Sequence, residues 1–201
     1  DKHTYFDLAE DVKKLLEEQG IVSSFLIGHS MGGKTAMVLD KLYQGFISKL
    51  VIVDIAPVTY PPNFKNYLKT LYSLDLGRFN TRSEIDTKLS EYFEEVSFRS
   101  FLMQNLKMDE KKSFYWRVNL TSLIRNSVAI SEFPVINGVS NTEALFLYGE
   151  LSEYGVMEHK DTIKESFPLS EFAPVAKAGH WVHVEKPIKF LEIVTKFLKS
   201  D

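Results

Sequence analysis

The stretch Ile21-Val22-Ser23-Ser24-Phe25-Leu26-Ile27-Gly28-His29-Ser30-Met31-Gly32-Gly33-Lys34 passes from apolar to glycine-rich to helical with almost no intervening loop. Ile21, Val22, Phe25, Leu26 and Ile27 form a short apolar run closed by Gly28, the pattern of a strand buried on both faces of a parallel sheet. From Lys34 to Tyr43, Ala36, Met37, Val38, Leu39 and Leu42 recur at helical spacing, with Gly45 as a stop. Strand and helix are so close in sequence that the turn between them must be sharp. Upstream, Phe6, Leu8, Ala9, Val12, Leu15 and Leu16 predict an amphipathic helix over Tyr5 to Gln19, ended by Gly20. Downstream, Leu50, Val51, Ile52 and Val53 predict a second buried strand that finishes at Asp54. Two strands joined through a helix predict a right-handed parallel crossover.

Pro57, Pro61 and Pro62 then break the pattern. Between Asn63 and about Phe133 no alternating strand signal is convincing, while helical stretches recur around Leu68, Ile85, Phe101 and Leu123. This reads as a helical cap insertion over 60–138 within a single partial domain spanning 1–201. Its aromatic residues, including Phe98, Phe101, Phe114, Tyr115 and Trp116, favour an apolar pocket only weakly, since such residues are more often simple core. The α/β pattern resumes with a strand over Ala144 to Tyr148, a helix from about Glu158 to Ser166, a strand over Phe172 to Ala176 and a last helix over Pro187 to Lys199.

Composition narrows the function classes. The 201 residues are 44% hydrophobic and 25% charged, ordinary values for a globular protein with a sizeable core. A net charge of −3 argues against nucleic acid as partner and favours small-molecule substrates. With no cysteine, thiol nucleophiles, disulfides and thiolate metal sites are excluded. No run approaches the roughly 20 apolar residues of a membrane span. The chain starts at Asp1 without an initiator Met, which reads as a fragment, so a targeting segment would lie upstream.

Gly28-His29-Ser30-Met31-Gly32 fits Gly-x-Ser-x-Gly between a strand and a helix, the setting in which a strained turn lifts a serine hydroxyl above the sheet. A hydroxyl is a weak nucleophile and needs an imidazole to take its proton. His180, after the last strand and Ala178-Gly179, is the best placed, with His183 as its rival; His29, His3 and His159 read as surface or scaffold residues. Asp54, at a strand's carboxyl end, is the expected acid that orients His180, and Glu153 is the reserve. The backbone N–H of Met31 is the expected oxyanion donor. Gly33-Lys34-Thr35 invites a phosphate-loop reading, but the earlier glycines are spaced wrongly for one.

Four segments carry a resemblance: Gly28 to Met37 (Gly-His-Ser-Met-Gly-Gly-Lys-Thr-Ala-Met), Val53-Asp54-Ile55-Ala56-Pro57, Trp116-Arg117-Val118-Asn119-Leu120 and Ala178-Gly179-His180-Trp181-Val182-His183. Together they resemble the α/β-hydrolase superfamily, in the abhydrolase-domain esterase branch that includes a mitochondrial animal member, bacterial short-chain esterases and fungal ethanol acetyltransferases. The likeness covers nearly the whole chain. It implies an α/β-hydrolase fold, a mostly parallel sheet flanked by helices, and a serine esterase or thioesterase acting on short acyl groups through Ser30, His180 and Asp54. Partners are then an ester, thioester or alcohol; acetyl-CoA, if used, is a substrate, and no cofactor or metal is implied. A mitochondrial setting is implied by resemblance alone. The family also has further strands and a His-Gly loop, the source of a second oxyanion N–H, which are expected to precede Asp1. On that expectation the isolated chain exposes a sheet edge and is an inactive fragment. The competing reading is a non-catalytic binding protein of the same fold.

Overall fold

The computed structural model describes residues 3–62 and 64–200. The chain divides into two compact units, one of residues 61–128 and one built from the flanking segments 2–60 and 129–201.

The flanking segments form a parallel four-stranded sheet in the order β1 (Ser24–His29), β2 (Ile47–Val53), β5 (Glu143–Gly149), β6 (Ser170–Val175). Alternation along the two central strands explains their apolar runs. Leu50 and Ile52 of β2, with Ala144 and Phe146 of β5, join one core cluster that includes Tyr5 and Ala9 of α1 (Tyr5–Glu18), Met37 and Leu39 of α2 (Met31–Leu42) and Ile163 of α8 (Lys160–Ser166). The neighbouring residues Val51, Val53, Leu145 and Leu147 face the opposite cluster, with Val182 of α9 (Val182–Glu185) and Val194 and Phe197 of α10 (Pro187–Lys199). Both faces are covered, as parallel sheets require.

β1 departs from the expectation of burial on both faces: Phe25 is 53% and Ile27 47% exposed. The physical reason is its position. Among the described residues β1 pairs only with β2, and neither residue belongs to the cluster under α9 and α10. An apolar run alone does not report how many neighbours a strand has. Element limits also shift: β1 begins and ends later than read from sequence, α2 begins directly at Met31, and a short 3₁₀ turn (Val156–His159) precedes α8.

Residues 61–128 have their own core. α3 (Phe64–Ser73), α4 (Arg82–Ser90), α5 (Val96–Gln104) and α6 (Leu120–Arg125) contribute Leu71, Ile85, Leu89, Leu102, Met103 and Leu120. A two-stranded hairpin, β3 (Leu106–Met108) with β4 (Phe114–Trp116), adds Leu106 and Phe114 to that cluster. The sequence showed no strand here because three residues are too few for alternation to be read. The compact unit is also shorter than 60–138: α7 (Ser127–Ser131) leads out of it, and Phe133 and Ile136 pack on the sheet core.

The two connectors of this unit meet at one buried cation. Lys34 of α2 is only 2% exposed; its Nζ donates to the carbonyl oxygens of Ser131 (2.8 Å) and Glu132 (3.0 Å) and lies 5.0 Å from the centre of the Tyr60 ring. Tyr60 N–H donates to Ser131 O at 3.0 Å, closing the two connectors on each other. Burial pushes the Lys34 ammonium down to about 8 from its ordinary value.

Phe146, fully buried in β5, touches the rings of Phe167 and Phe172 with centroids 5.8 and 5.9 Å away. Phe146→Ala is expected to lower stability by about 3–5 kcal/mol in urea unfolding, the cost of a large core cavity; a loss below about 1 kcal/mol would contradict this packing.

Candidate active site

Ser30 sits between β1 and α2 at φ 53°, ψ −121°, a backbone conformation that an L residue rarely adopts and that costs about 1–3 kcal/mol. Two glycines make the turn possible. A Cβ on Gly28 would lie 2.4 Å from Gly32 O, and one on Gly33 would lie 2.6 Å from Ile55 Cγ2. Gly32, the second glycine of the motif, faces open space and carries no such demand. The N–H groups of Gly33 and Lys34 both donate to Ser30 O at 2.9 and 3.1 Å, which starts α2 directly after the serine. Met31 N–H thereby belongs to the first turn, where amides have no acceptor inside the helix and point outward as oxyanion donors do.

The sheet ladder sets the serine beside the acid. Ser30 N–H donates to Val53 O at 3.0 Å, and Asp54 N–H donates to Leu147 O at 2.8 Å, each one step beyond the end of a strand. Asp54 is also at positive φ, 54°, and is 0% exposed. A buried carboxylate needs its lone pairs answered. Oδ1 accepts from Gly149 N–H at 3.0 Å, and Oδ2 accepts from the Ser152 hydroxyl and from His180 Nδ1–H at 2.7 Å. A carboxylate can only accept, so the shared proton sits on His180 Nδ1, and in the neutral tautomer Nε2 then carries none.

The His180 ring is 19% exposed and lies among other rings. Tyr154 stacks on it with centroids 4.1 Å apart and planes 21° from parallel, and His29 lies 4.5 Å away. His29 Nε2–H donates to His180 O at 2.9 Å. Of the surface and scaffold readings of His29, the scaffold one fits: the residue before Ser30 fastens the backbone of His180 beside it. Burial, and after it the neighbouring His180, pushes the His29 imidazole down to about 4. His183 packs against His29 at 4.8 Å, and its imidazole is also held low, by burial and by His180. Asp54 pairs with His180, not with His183; Glu153, the reserve acid, is exposed.

The geometry thus pairs Asp54 with His180 and sets Ser30 and Met31 on the turn after the adjacent strand, all on the sheet-bearing unit. Sequence reasoning missed three neighbours, His29, Ser152 and Tyr154. Only His29 had a signal, its place inside the glycine-serine turn. Among the described residues no group of three or more His, Cys, Asp or Glu side chains could hold a metal ion.

Between about pH 4 and pH 6.5 an unfolded chain binds a proton that the folded His29 refuses, so stability falls as pH drops through that window. His29→Gln is expected to flatten this decline by about one proton in urea titrations at several pH values. An unchanged slope would mean that His29 takes up its proton freely in the folded protein.

The α/β-hydrolase fold family model matches residues 1–187. The sn-1-specific diacylglycerol lipase ABHD11 of Mus musculus is 34% identical over 97% of this chain and 65% of its own length, and a probable alcohol acetyltransferase of Saccharomyces cerevisiae is 31% identical over 98% of this chain and 64% of its own. The chain therefore spans just under two thirds of the length of these relatives. The solved structure of a marine microorganism esterase superposes with a TM-score of 0.93 at 35% identity, covering 98% of this chain and 78% of that one. With its parallel sheet, its serine turn and a family match over most of its length, the chain belongs to the α/β-hydrolase fold family.

Proposed function

We propose that this chain carries the catalytic residues of a serine esterase, a hydrolase that cleaves acyl esters or thioesters through an acyl-enzyme. The observation that carries the reading is the buried Asp54 to His180 hydrogen bond of 2.7 Å, which leaves Nε2 as the base, beside a serine held at positive φ on the turn before α2. Kinship with an esterase structure and with a lipase supports the reaction class.

In this scheme Ser30 Oγ attacks the acyl carbonyl carbon while its proton passes to His180 Nε2. The carbonyl oxygen becomes an oxyanion and accepts from Met31 N–H. Collapse breaks the bond to the leaving alcohol or thiol, which takes the proton from His180. Asp54 stabilises the imidazolium throughout without taking its proton. Water or an alcohol then gives a proton to His180 and attacks the acyl carbon. The bond to Ser30 Oγ breaks, Ser30 takes the proton back from His180, and water yields an acid and alcohol a new ester. Transfer of acetyl from acetyl-CoA to an alcohol is the variant suggested by the yeast relative, and short acyl groups, the cap role of the inserted segment and a mitochondrial setting belong to the same proposal through family resemblance.

Ser30→Ala is expected to lower kcat for p-nitrophenyl acetate by about 10⁴-fold or more in the full-length protein, and to abolish labelling by a fluorophosphonate. Ethanol added to the wild type separates the acceptors: ethyl ester formation marks an acyltransferase, and acid alone marks an esterase. Equal rates in mutant and wild type would remove Ser30 from the reaction and leave a non-catalytic binding protein of this fold.

A further inference from the structure

The loop after β5 runs Glu150-Leu151-Ser152-Glu153-Tyr154-Gly155, and two of its side chains reach the proposed acid and base. Ser152 Oγ accepts from Tyr154 N–H at 3.2 Å, which directs its own single hydrogen to Asp54 Oδ2. That oxygen is the one that also accepts from His180 Nδ1–H. Two residues on, the Tyr154 ring lies against the face of the His180 imidazole.

The loop is held at its far side as well. The Tyr60 hydroxyl donates to Tyr154 O at 3.0 Å and accepts from Ala56 N–H at 3.1 Å, while the two tyrosine rings meet edge to face with centroids 5.0 Å apart. Ala56 follows Asp54 by two residues, so Asp54, Ser152, Tyr154, Tyr60 and Ala56 form a closed ring of contacts. A closed hydrogen-bonded ring resists distortion at any one member more than separate bonds do.

We propose that Ser152 and Tyr154 are positioning residues for His180. Ser152 fixes the rotation of the Asp54 carboxylate, so that Oδ2 stays aimed at His180 Nδ1–H. Tyr154 restrains the imidazole by ring stacking, a contact that needs an aromatic face and no hydroxyl. The role rests on the reading of Ser30, His180 and Asp54 as the reacting set.

The test uses the full-length protein with Ser152→Ala, Ser152→Thr, Tyr154→Leu and Tyr154→Phe. Ester hydrolysis is expected to lose roughly ten- to a hundredfold in kcat with Ser152→Ala, and about tenfold with Tyr154→Leu, with KM little changed. Ser152→Thr and Tyr154→Phe are expected to restore kcat to within a few-fold of wild type. The second readout is the downfield proton NMR resonance of the His180 Nδ1–H shared with Asp54, which should shift or broaden in the first pair and persist in the second. This resonance needs no turnover. If the wild type shows no Ser30-dependent hydrolysis, the proposed function fails while the resonance still tests the positioning role. Wild-type kcat and an unmoved resonance in folded Ser152→Ala and Tyr154→Leu overturn the inference. Should Ser152→Ala not fold, a loss of kcat and resonance in Tyr154→Leu with recovery in Tyr154→Phe supports it, and their retention overturns it.

Discussion

A carboxylate with no access to water is the constraint around which one end of the sheet is arranged. Transferring an ion of this size into the interior carries a penalty of several kcal/mol unless donors replace its hydration. Asp54 receives those donors from three separate places: the amide of Gly149 at the end of β5, the hydroxyl of Ser152 in the following loop, and the imidazole of His180 after β6. Each is distant from Asp54 in sequence. The loops can be correct only together, because withdrawing any one leaves a buried charge short of a partner. A site of this kind is therefore assembled by the need to satisfy the anion as well as by the packing beneath it.

The parallel sheet supplies the geometry that makes this possible. All four strands end on the same side, so the residues one step past β1 and β2, Ser30 and Asp54, become neighbours through the ladder itself. Both lie at positive φ. Such strain persists only where the surroundings over-determine it, and here the hydrogen bonds from Ser30 N–H and Asp54 N–H to the adjacent strands do so. The glycines at 28 and 33 contribute differently: they remove atoms from a close approach instead of relaxing an angle.

Much of this was legible in the sequence because it depends on short-range pattern. The strand–turn–helix around Ser30 is continuous in the chain, and Asp54 declares itself by ending an apolar strand. The four helical stretches between Pro61 and Val128 were visible from their spacing. What escaped notice depends on contacts between distant segments. Nothing in Glu150-Leu151-Ser152-Glu153-Tyr154 distinguishes a hydroxyl aimed at a buried acid from one facing water, and the exposed Glu153 looked the more chemical residue. His29 lay inside the motif, but its bond to His180 O joins residues 151 positions apart. The exposure of Phe25 and Ile27 was hidden for the opposite reason: a buried strand and an edge strand can share one apolar run.

The closure at Lys34 bears on how the inserted unit can vary. With Tyr60 bonded to Ser131 and both held on one buried ammonium, the ends of the insertion are already joined by the sheet-bearing unit. Loop-closure entropy, which rises only slowly with length, is met at that junction whatever lies between. The segment behaves as a cassette on a fixed socket: residues can be added, removed or exchanged within it while the sheet, the serine turn and the carboxylate stay as they are. Length and composition can thus change between Tyr60 and Ser131 without disturbing the turn that holds Ser30.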